Sequence, residues 1–350
     1  MESERRTVQR NILRDAVPLS QEFKVRNMVR LIFLTVCFVF YGMDTFPQQD
    51  MQTAGDVITL LKDVNSKPQA VSFTNDIEIN NNGGHLQGIQ KTVFNGRDFF
   101  LVTGSSDSYS YLVVADKREG RIVKVVKLLD KPFKHAGGFQ INNGLMAVGI
   151  EDNGGRKESK VYVWKVDDPL KLTAEPLKVI ERRGEYERAT AGCTAITVID
   201  GYVLVAVGDW NTEHLDFYRL RKEDMIKEGD NFEKVFSITT SGTDRSDWTD
   251  DKWGAYQNIN FLQDGQGKLF LAGMSLENGR NVVDLFEVIS NDQTSFRLKK
   301  VYTKEFEKSD KVNFDRGAGV YFTYPDEMEI IACPAHITDR TEIYLFKNQE

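Results

Sequence analysis

Short runs of apolar and β-branched residues follow one another along the chain from residue 69 onward. Val, Ile, Phe and Tyr dominate these runs, and Gly, Asn and Asp fill the breaks between them. This pattern predicts β-strands joined by turns. The stretch that comes nearest to a helical pattern, RLRKEDMIKE at 219–228, is predicted to form a short excursion between two strands. The region is therefore predicted to be all-β.

The predicted strands recur in cycles of four. Each cycle opens with a segment rich in small residues, and the openings align as HLQGIQK (85–91), HAGGFQI (135–141), TAGCTAI (190–196), WGAYQNI (253–259) and RGAGVYF (316–322). Successive openings lie 50, 55, 63 and 63 residues apart. Five such cycles predict a five-bladed β-propeller of four-stranded blades over residues 69–350.

The two ends of this region complement each other. The fifth cycle stops at Lys347 after three strands, and QAVSFTNDI at 69–77 supplies a strand that precedes the first cycle. We expect the N-terminal strand to complete the last blade, because closing the ring removes exposed strand edges.

The predicted architecture resembles known five-bladed propellers such as the tachylectin-type lectins, the calcium-activated apyrases and the arabinanase-type glycosidases. The resemblance covers about residues 69–350 and concerns architecture alone. No motif of these families can be placed on the sequence, so no catalytic residue is carried over. A fold by itself does not define a function.

The amino-terminal 68 residues differ from the rest of the chain. Leu31–Tyr41, LIFLTVCFVFY, is an eleven-residue apolar run that follows Lys24, Arg26 and Arg30. This length is short for a membrane span and suits the core of a signal peptide. We interpret residues 1–46 as an extension carrying a signal peptide or membrane anchor, and residues 47–68 as a polar linker. The protein is expected to be extracytoplasmic, either secreted or membrane-anchored.

Several alternatives remain for this segment. Met28 opens a stretch that resembles a signal peptide on its own, so either Met1 or Met28 is the true start. No clean small-x-small cleavage site follows, which makes an uncleaved tether through residues 31–41 the second interpretation. A lipoprotein signal ending at Cys37 fits less well, because Val36 precedes the cysteine and more apolar residues follow it. A buried strand of a cytosolic domain is the remaining alternative.

Charge and cysteine content limit the kinds of partner that the protein is expected to bind. The 350 residues carry a formal net charge of −7 with a sequence pI near 5.4, and the two signs are interspersed. No basic stripe stands out, so nucleic acid is not an expected partner. The three cysteines show no metal-binding or disulfide spacing. We expect a monomer.

One face of the predicted propeller collects unusual residues. The starts of the first strands and the ends of the second strands lie on the same face of the ring. At the first aligned position the five blades carry His85, His135, Thr190, Trp253 and Arg316. All four histidines of the chain map to this face. The predicted ligand-binding residues are His85, His135, Trp253, Arg316 and Asp107.

Two functions are compatible with this face. The first is an extracytoplasmic binding or interaction module for a small molecule, a carbohydrate or a protein. The alternative is a secreted hydrolase of glycosidase or phosphoesterase type, with Glu151 and Asp209 as candidate catalytic carboxylates. Ser105 or Ser106 with His85 could supply a nucleophile and a base, but the GxSxG context is missing. Each histidine also has a structural interpretation, since it could bond neighbouring backbone.

Metal binding is a further hypothesis, although no cofactor is firmly predicted. His85, His135 and His336 are candidate ligands for a divalent metal such as Zn²⁺. The loop TDRSDWTDDK at 243–252 clusters four aspartates, which suits Ca²⁺. This loop lacks the alternating ligands and central glycine of an EF-hand, so a solvated acidic loop is the preferred interpretation.

Overall fold

The computed structural model describes residues 56–290, 292, 294–323 and 327–348. The predicted signal peptide or anchor and the choice between Met1 and Met28 lie outside these residues. Within them, no helix is both long enough and apolar enough to span a membrane.

The described chain is all-β apart from one α-helix and four short 3-10 turns, which confirms the predicted fold class. Its strands fall into successive four-stranded antiparallel groups, here called units. Unit 1 contains β2 (Leu86–Phe94), β3 (Arg97–Ser105), β4 (Tyr109–Asp116) and β5 (Arg121–Asp130). Unit 2 contains β6 (His135–Asn142), β7 (Leu145–Glu151), β8 (Glu158–Lys165) and β9 (Lys178–Arg183). Unit 3 contains β10 (Cys193–Ile199), β11 (Tyr202–Gly208), β12 (His214–Arg221) and β13 (Glu233–Thr239). Unit 4 contains β14 (Asn258–Gln263), β15 (Leu269–Glu277), β16 (Arg280–Ile289) and β17 (Arg297–Phe306).

Unit 5 joins the two ends of the described chain. It contains β18 (Ala318–Thr323), β19 (Glu327–Ala332), β20 (Arg340–Lys347) and β1 (Gln69–Thr74). The amino-terminal β1 runs antiparallel to β20, with Gln69 opposite Leu345 and Thr74 opposite Arg340. The pairing expected from the incomplete fifth cycle is therefore present.

The first strands of the units lie side by side. β2 contacts β6, β6 contacts β10, β10 contacts β14, β14 contacts β18, and β18 contacts β2 again. Glycine permits this crowding: a Cβ at Gly138 would collide with the carbonyl of Gln257, and one at Gly319 with the carbonyl of Ile89. The small residues that open each cycle are thus explained by close backbone approach.

Three buried amides, here called the amide core, cross-link these first strands: Gln90, Gln140 and Asn260. Oε1 of Gln140 accepts from the backbone N–H groups of Ile196 at 3.0 Å and Phe261 at 2.9 Å. Oδ1 of Asn260 accepts from Nε2 of Gln90 at 3.1 Å and from the N–H of Val320 at 2.8 Å. The amide core therefore connects side chains or backbone from all five units.

The structure describes residues 56–68 of the segment 47–68 that is predicted to be a linker. The prediction is wrong for these residues, because they contain a helix. Helix α1 (Val57–Asp63) begins at Asp56, whose carboxylate accepts from the N–H groups of Ile58 and Thr59. Val57, Leu60, Leu61 and Val64 are buried against units 4 and 5. Their spacing places them on one helix face, and this signal was hidden among polar neighbours.

The excursion predicted at 219–228 agrees with the structure. β12 ends at Arg221, a 3-10 turn follows over Lys222–Asp224, and Met225 is buried. Leu220 and Met225 thus anchor this largely charged segment, whereas Ile226 is exposed.

Removing the amide of Gln140 should destabilise the fold. Gln140→Ala leaves the buried N–H groups of Ile196 and Phe261 without their acceptor, so we expect a loss of about 2–5 kcal/mol in the free energy of unfolding. Urea unfolding followed by circular dichroism measures it. Gln263→Ala is the matched control, because among the described residues that amide bonds the Gly267 carbonyl at the surface and its loss should cost less than about 0.5 kcal/mol. Equal stability of the two variants would contradict this role.

Candidate functional site

The structure places the aligned residues at one end of the first strands. His135 is the first residue of β6, His85 immediately precedes β2, and Arg316 lies in the 3-10 turn before β18. Thr190 and Trp253 lie in the loops before β10 and β14. Because the second strands are antiparallel to the first, their carboxyl ends reach the same side, here called the site face. Glu151 ends β7 there and Asp209 follows β11.

A buried acid lies beside one of the histidines. His135 is opposite Glu151 in the β6–β7 ladder, with 3.7 Å between His135 Nε2 and Glu151 Oε1. Glu151 is 0% exposed, and its Oε2 accepts from the N–H of Ala191 at 2.8 Å. Its Oε1 has no hydrogen-bond partner among the described residues. This side chain is held in place at one oxygen and unsatisfied at the other.

Burial controls the protonation of both groups. It raises the pKa of Glu151 to about 7, against the opposing effect of the Ala191 hydrogen bond. It lowers the pKa of His135 to about 3, and the positive charges of Lys134 and Arg156 act in the same direction. At neutral pH the pair therefore holds a neutral imidazole beside a carboxyl group that is protonated in a large fraction of molecules.

Three histidines from three units are electrostatic neighbours. Nδ1 of the half-buried His85 lies 2.7 Å from the carbonyl of Leu86, and the Gln87 amide nitrogen lies 3.1 and 3.2 Å from its ring nitrogens. Burial lowers the pKa of His336, and the neighbouring His85 acts in the same direction. The N–H of Leu86 donates to the carbonyl of Ala335 at 2.8 Å, so His85 and His336 are each next to a residue of this bond. His135 begins β6, which packs against β2.

Arg316 lies near the same centre. Its side chain is exposed, and its backbone carbonyl accepts from Sγ of Cys333 at 3.2 Å. The adjacent Asp315 accepts from the N–H of Leu276 at 3.1 Å, and burial raises the pKa of its carboxyl. The positive charge of Arg316 lowers the pKa of both His336 and Asp315. A guanidinium thus borders the histidine group.

Trp253 and Asp107 are engaged in local contacts. Nε1 of Trp253 donates to the carbonyl of Thr212 at 2.9 Å, and its ring packs against Trp248, Tyr256 and Phe286. Asp107, in the loop between β3 and β4, accepts from Ser108 Oγ at 2.6 Å and Asn80 Nδ2 at 2.9 Å. The bond from Ser108 is the main cause that lowers the pKa of Asp107. Their ligand-binding roles stay predictions.

Asp209 forms a close pair that the sequence did not reveal. Its Oδ2 lies 2.7 Å from Nδ1 of His214, its Oδ1 accepts from the His214 backbone N–H at 2.8 Å, and Arg188 approaches to 3.8 Å. Asp209 is buried, and burial raises the pKa of its carboxyl while His214 opposes the shift. The two residues face each other because Asp209 follows β11 and His214 begins β12.

Arg156 is a second residue that sequence reasoning missed. Its guanidinium lies 3.6 Å from the ring centroid of Trp210, and its Nη1 donates to Glu187 at 2.5 Å. Its positive charge lowers the pKa of both His135 and Glu151. In the sequence this arginine follows two glycines in a hairpin turn, which gave no signal of an interaction with a tryptophan in another unit.

The nucleophile and calcium hypotheses meet competing contacts. Ser105 Oγ bonds the backbone N–H and carbonyl of His85 and not its ring. In the acidic loop, Asp250 lies 2.9 Å from Lys300 Nζ and Asp247 lies 2.7 Å from Arg297 Nη1. Across the ranges that the structure describes, no three His, Cys, Asp or Glu side chains are grouped closely enough to hold a metal ion.

Comparisons with known proteins concern architecture alone. No protein-family model matches the sequence, and no curated protein matches it. One similar solved structure is a bifunctional GH43-CE protein of Bacteroides eggerthii (TM-score 0.45, 11% identity), and the chain spans 80% of its own length but 34% of that protein. Another is the GH43_1 enzyme from Xanthomonas citri complexed with xylotriose (TM-score 0.44, 10% identity, 83% and 92% covered). A third is a GH43 β-xylosidase/α-arabinofuranosidase from a compost metagenome (TM-score 0.45, 11% identity, 80% and 94% covered). At these values no substrate or residue role is carried over to this chain.

The buried acid predicts a specific pH dependence. The folded pKa of Glu151 is about 7, above the ordinary value of 4.5, so the folded state retains a proton that the unfolded chain releases. Its stabilising contribution is complete below pH 4.5 and is lost as pH rises toward 7, by about 1.4 kcal/mol per pH unit. Relative to the parent, Glu151→Gln should therefore gain roughly 3 kcal/mol of stability between pH 4.5 and 8. Urea unfolding of both proteins across this range measures it, and a difference that does not vary with pH would contradict a buried titrating carboxyl.

Proposed function

We propose that residues 69–350 form a single five-bladed β-propeller that serves as a binding module, with its ligand on the site face. The five four-stranded units, the cyclic contacts of their first strands and the β1–β20 pairing support this architecture. Each unit then corresponds to one blade, and the site face is one end of the ring.

The observation that carries the binding function is that His85, His135 and His336 lie on the site face together with Arg316. These residues come from units 1, 2 and 5, so no local hairpin requires them to share a face. Units 1 and 5 approach closely here: Gly317 has φ 117°, and a Cβ there would lie 2.9 Å from the backbone nitrogen of Gly88. Polar side chains of three units thus share the site face.

The chemistry of these groups indicates the ligand. The neutral imidazole of His135 offers one donor and one acceptor, whereas the exposed Arg316 offers only donors and a positive charge. A small molecule or carbohydrate with hydroxyl groups and one anionic group would match both. A protein ligand that presents an acidic side chain is a related option, and nucleic acid is not proposed.

Localisation and metal binding are separate proposals that rest on sequence alone. The apolar run at 31–41 favours export as a secreted or tethered protein. His85, His135 and His336 offer nitrogen ligands for Zn²⁺, and the acidic loop at 243–252 offers oxygen ligands for Ca²⁺, so both ions belong in the binding panel even though the described residues hold no preformed group of three such side chains.

Binding should depend on the histidine centre. We expect a ligand from a panel of neutral and acidic sugars, small carboxylates and divalent metals to bind the parent in calorimetry. His85→Ala/His135→Ala should abolish this binding, and Arg316→Ala should weaken an anionic ligand about tenfold or more. Arg280→Ala is the matched control, because Arg280 is 60% exposed and its Glu305 partner is 4.0 Å away. A panel ligand that binds the parent and both variants equally would place the site elsewhere.

A second function, hydrolysis, is favoured by the protonated carboxyl of Glu151. A general acid is most effective when its pKa lies near the working pH, and Glu151 meets that condition. Asp209, which orients His214, would assist the base. The glycosidase and phosphoesterase types both need such an acid and base.

Turnover assays separate the hydrolase from the binding module. If the protein is a hydrolase, aryl glycosides or aryl phosphates should be cleaved by the parent, and Glu151→Gln should lower kcat about 100-fold or more at unchanged folding. Asp209→Asn should act in the same direction. A parent that binds a sugar without cleaving it would exclude the hydrolase while leaving the binding function intact.

A further inference from the structure

Backbone strain is concentrated at the junction of units 2 and 3. Eight non-glycine residues in the described ranges have positive φ. Four of them are Asn or Asp residues that directly precede a glycine in hairpin turns, where this conformation is ordinary. The other four lie together on the site face: Arg156, Glu187, Asn211 and Thr212.

Contacts among these residues show that they form one cluster. The N–H of Glu187 donates to the carbonyl of Arg156 at 2.7 Å, in addition to their ion pair. Arg156 stacks on Trp210, which immediately precedes Asn211. Strain of this kind persists only where surrounding contacts enforce it.

Thr212 is the strongest case, because a β-branched residue rarely adopts φ near 55°. It is 1% exposed, and its Oγ1 donates to the carbonyl of Tyr256 at 2.9 Å. Its N–H donates to the carbonyl of Asp209, and its own carbonyl accepts from Nε1 of Trp253. These bonds fix the path of the loop Asp209–His214 between β11 and β12.

The loop Asp209–His214 carries two side chains that are partly exposed, those of Trp210 and His214. Nδ1 of His214 lies 2.7 Å from Oδ2 of Asp209. In the tautomer that donates from Nδ1 to Asp209, the opposite ring nitrogen, Nε2, carries a lone pair that accepts a hydrogen bond. The imidazole is 31% exposed. Trp210 is half-buried, with Arg156 covering one face of its indole ring.

The guanidinium groups near the loop are bonded to carboxylates of the protein. Arg156 donates to Glu187, and Arg188 donates to both carboxylate oxygens of Asp216, at 2.8 and 2.6 Å. Arg182 and Lys234 also lie 2.8 Å from Asp216, so these charges do not select between a neutral and an anionic ligand. The side chains carried by the loop do: an indole ring next to a hydrogen-bond acceptor matches a ring that has an apolar C–H face and hydroxyl groups at its edge, which describes a sugar.

We propose that the loop Asp209–His214 is a carbohydrate-binding subsite, in which Trp210 stacks on the sugar ring and Nε2 of His214 accepts a hydrogen bond from a hydroxyl group. This subsite lies beside the histidine centre and does not depend on it.

The test is calorimetric titration of the full-length protein with neutral oligosaccharides of several sugar classes, with a nucleoside and inorganic phosphate as separate probes. We expect at least one neutral oligosaccharide to bind, with at least a tenfold loss of affinity in Trp210→Ala and in His214→Ala. His214→Gln should restore most of the lost affinity, because its amide oxygen can replace the Nε2 acceptor. Trp210→Phe should bind with intermediate affinity, since a smaller ring remains.

Further measurements distinguish a variant that does not fold from one that has lost the subsite, and distinguish the subsite from the histidine centre. Thermal unfolding checks each variant, and the His214 variants decide the proposal if Trp210→Ala unfolds. Arg280→Ala, an exposed control outside both sites, should bind the neutral oligosaccharide as the parent does. Sugar binding that is lost in His85→Ala/His135→Ala but kept in Trp210→Ala and His214→Ala would overturn the subsite while supporting the histidine centre. Binding of only the nucleoside or only phosphate, or no binding of any neutral oligosaccharide, would also overturn it.

Discussion

The fold depends on three amide side chains at its centre. Gln90, Gln140 and Asn260 are buried where the first strands crowd together. Gln140 and Asn260 accept from backbone N–H groups of other units, and Gln90 donates to Asn260. In such a low-dielectric interior a satisfied hydrogen bond is strong and an unsatisfied one is costly. The five first strands can therefore hold only a narrow range of relative positions. That restriction also fixes the ends of these strands, where the candidate site lies.

The close packing of the first strands determines how polar groups on the site face are charged. Glycine and alanine near the strand starts bring backbones close together, so the few large polar side chains are enclosed as they leave the inner strands. Burial then raises the pKa of Glu151 and lowers that of His135. Towards the junction of units 2 and 3 the carboxylates are instead bonded to neighbouring side chains, Asp209 to His214 and Glu187 to Arg156. The face thus combines a histidine centre with a rim of side chains that bond one another.

The strands could be predicted from residue types, because each is a short β-branched run bounded by turn residues. The closing pair β1–β20 could be predicted from the repeat of four strands, because the fifth cycle lacks its last strand. Helix α1 was missed since its apolar face consists of only four residues within a polar segment. The pairing of Asp209 with His214 and the stacking of Arg156 on Trp210 depend on loop conformations with positive φ, which residue types alone do not specify. Trp253 shows the opposite case: its aligned position was evident, but its packing among three aromatic rings required the structure.

The central claim is that the first-strand starts gather a ligand-binding histidine centre. The chain has only four histidines, so a long-range nitrogen–proton NMR spectrum resolves every imidazole, and single His→Ala variants assign each signal. Addition of a ligand found by calorimetry should shift the signals of His85 and His135 together. The signal of His336 should shift as well. A saturating ligand that leaves the signals of His85 and His135 unchanged would contradict the account.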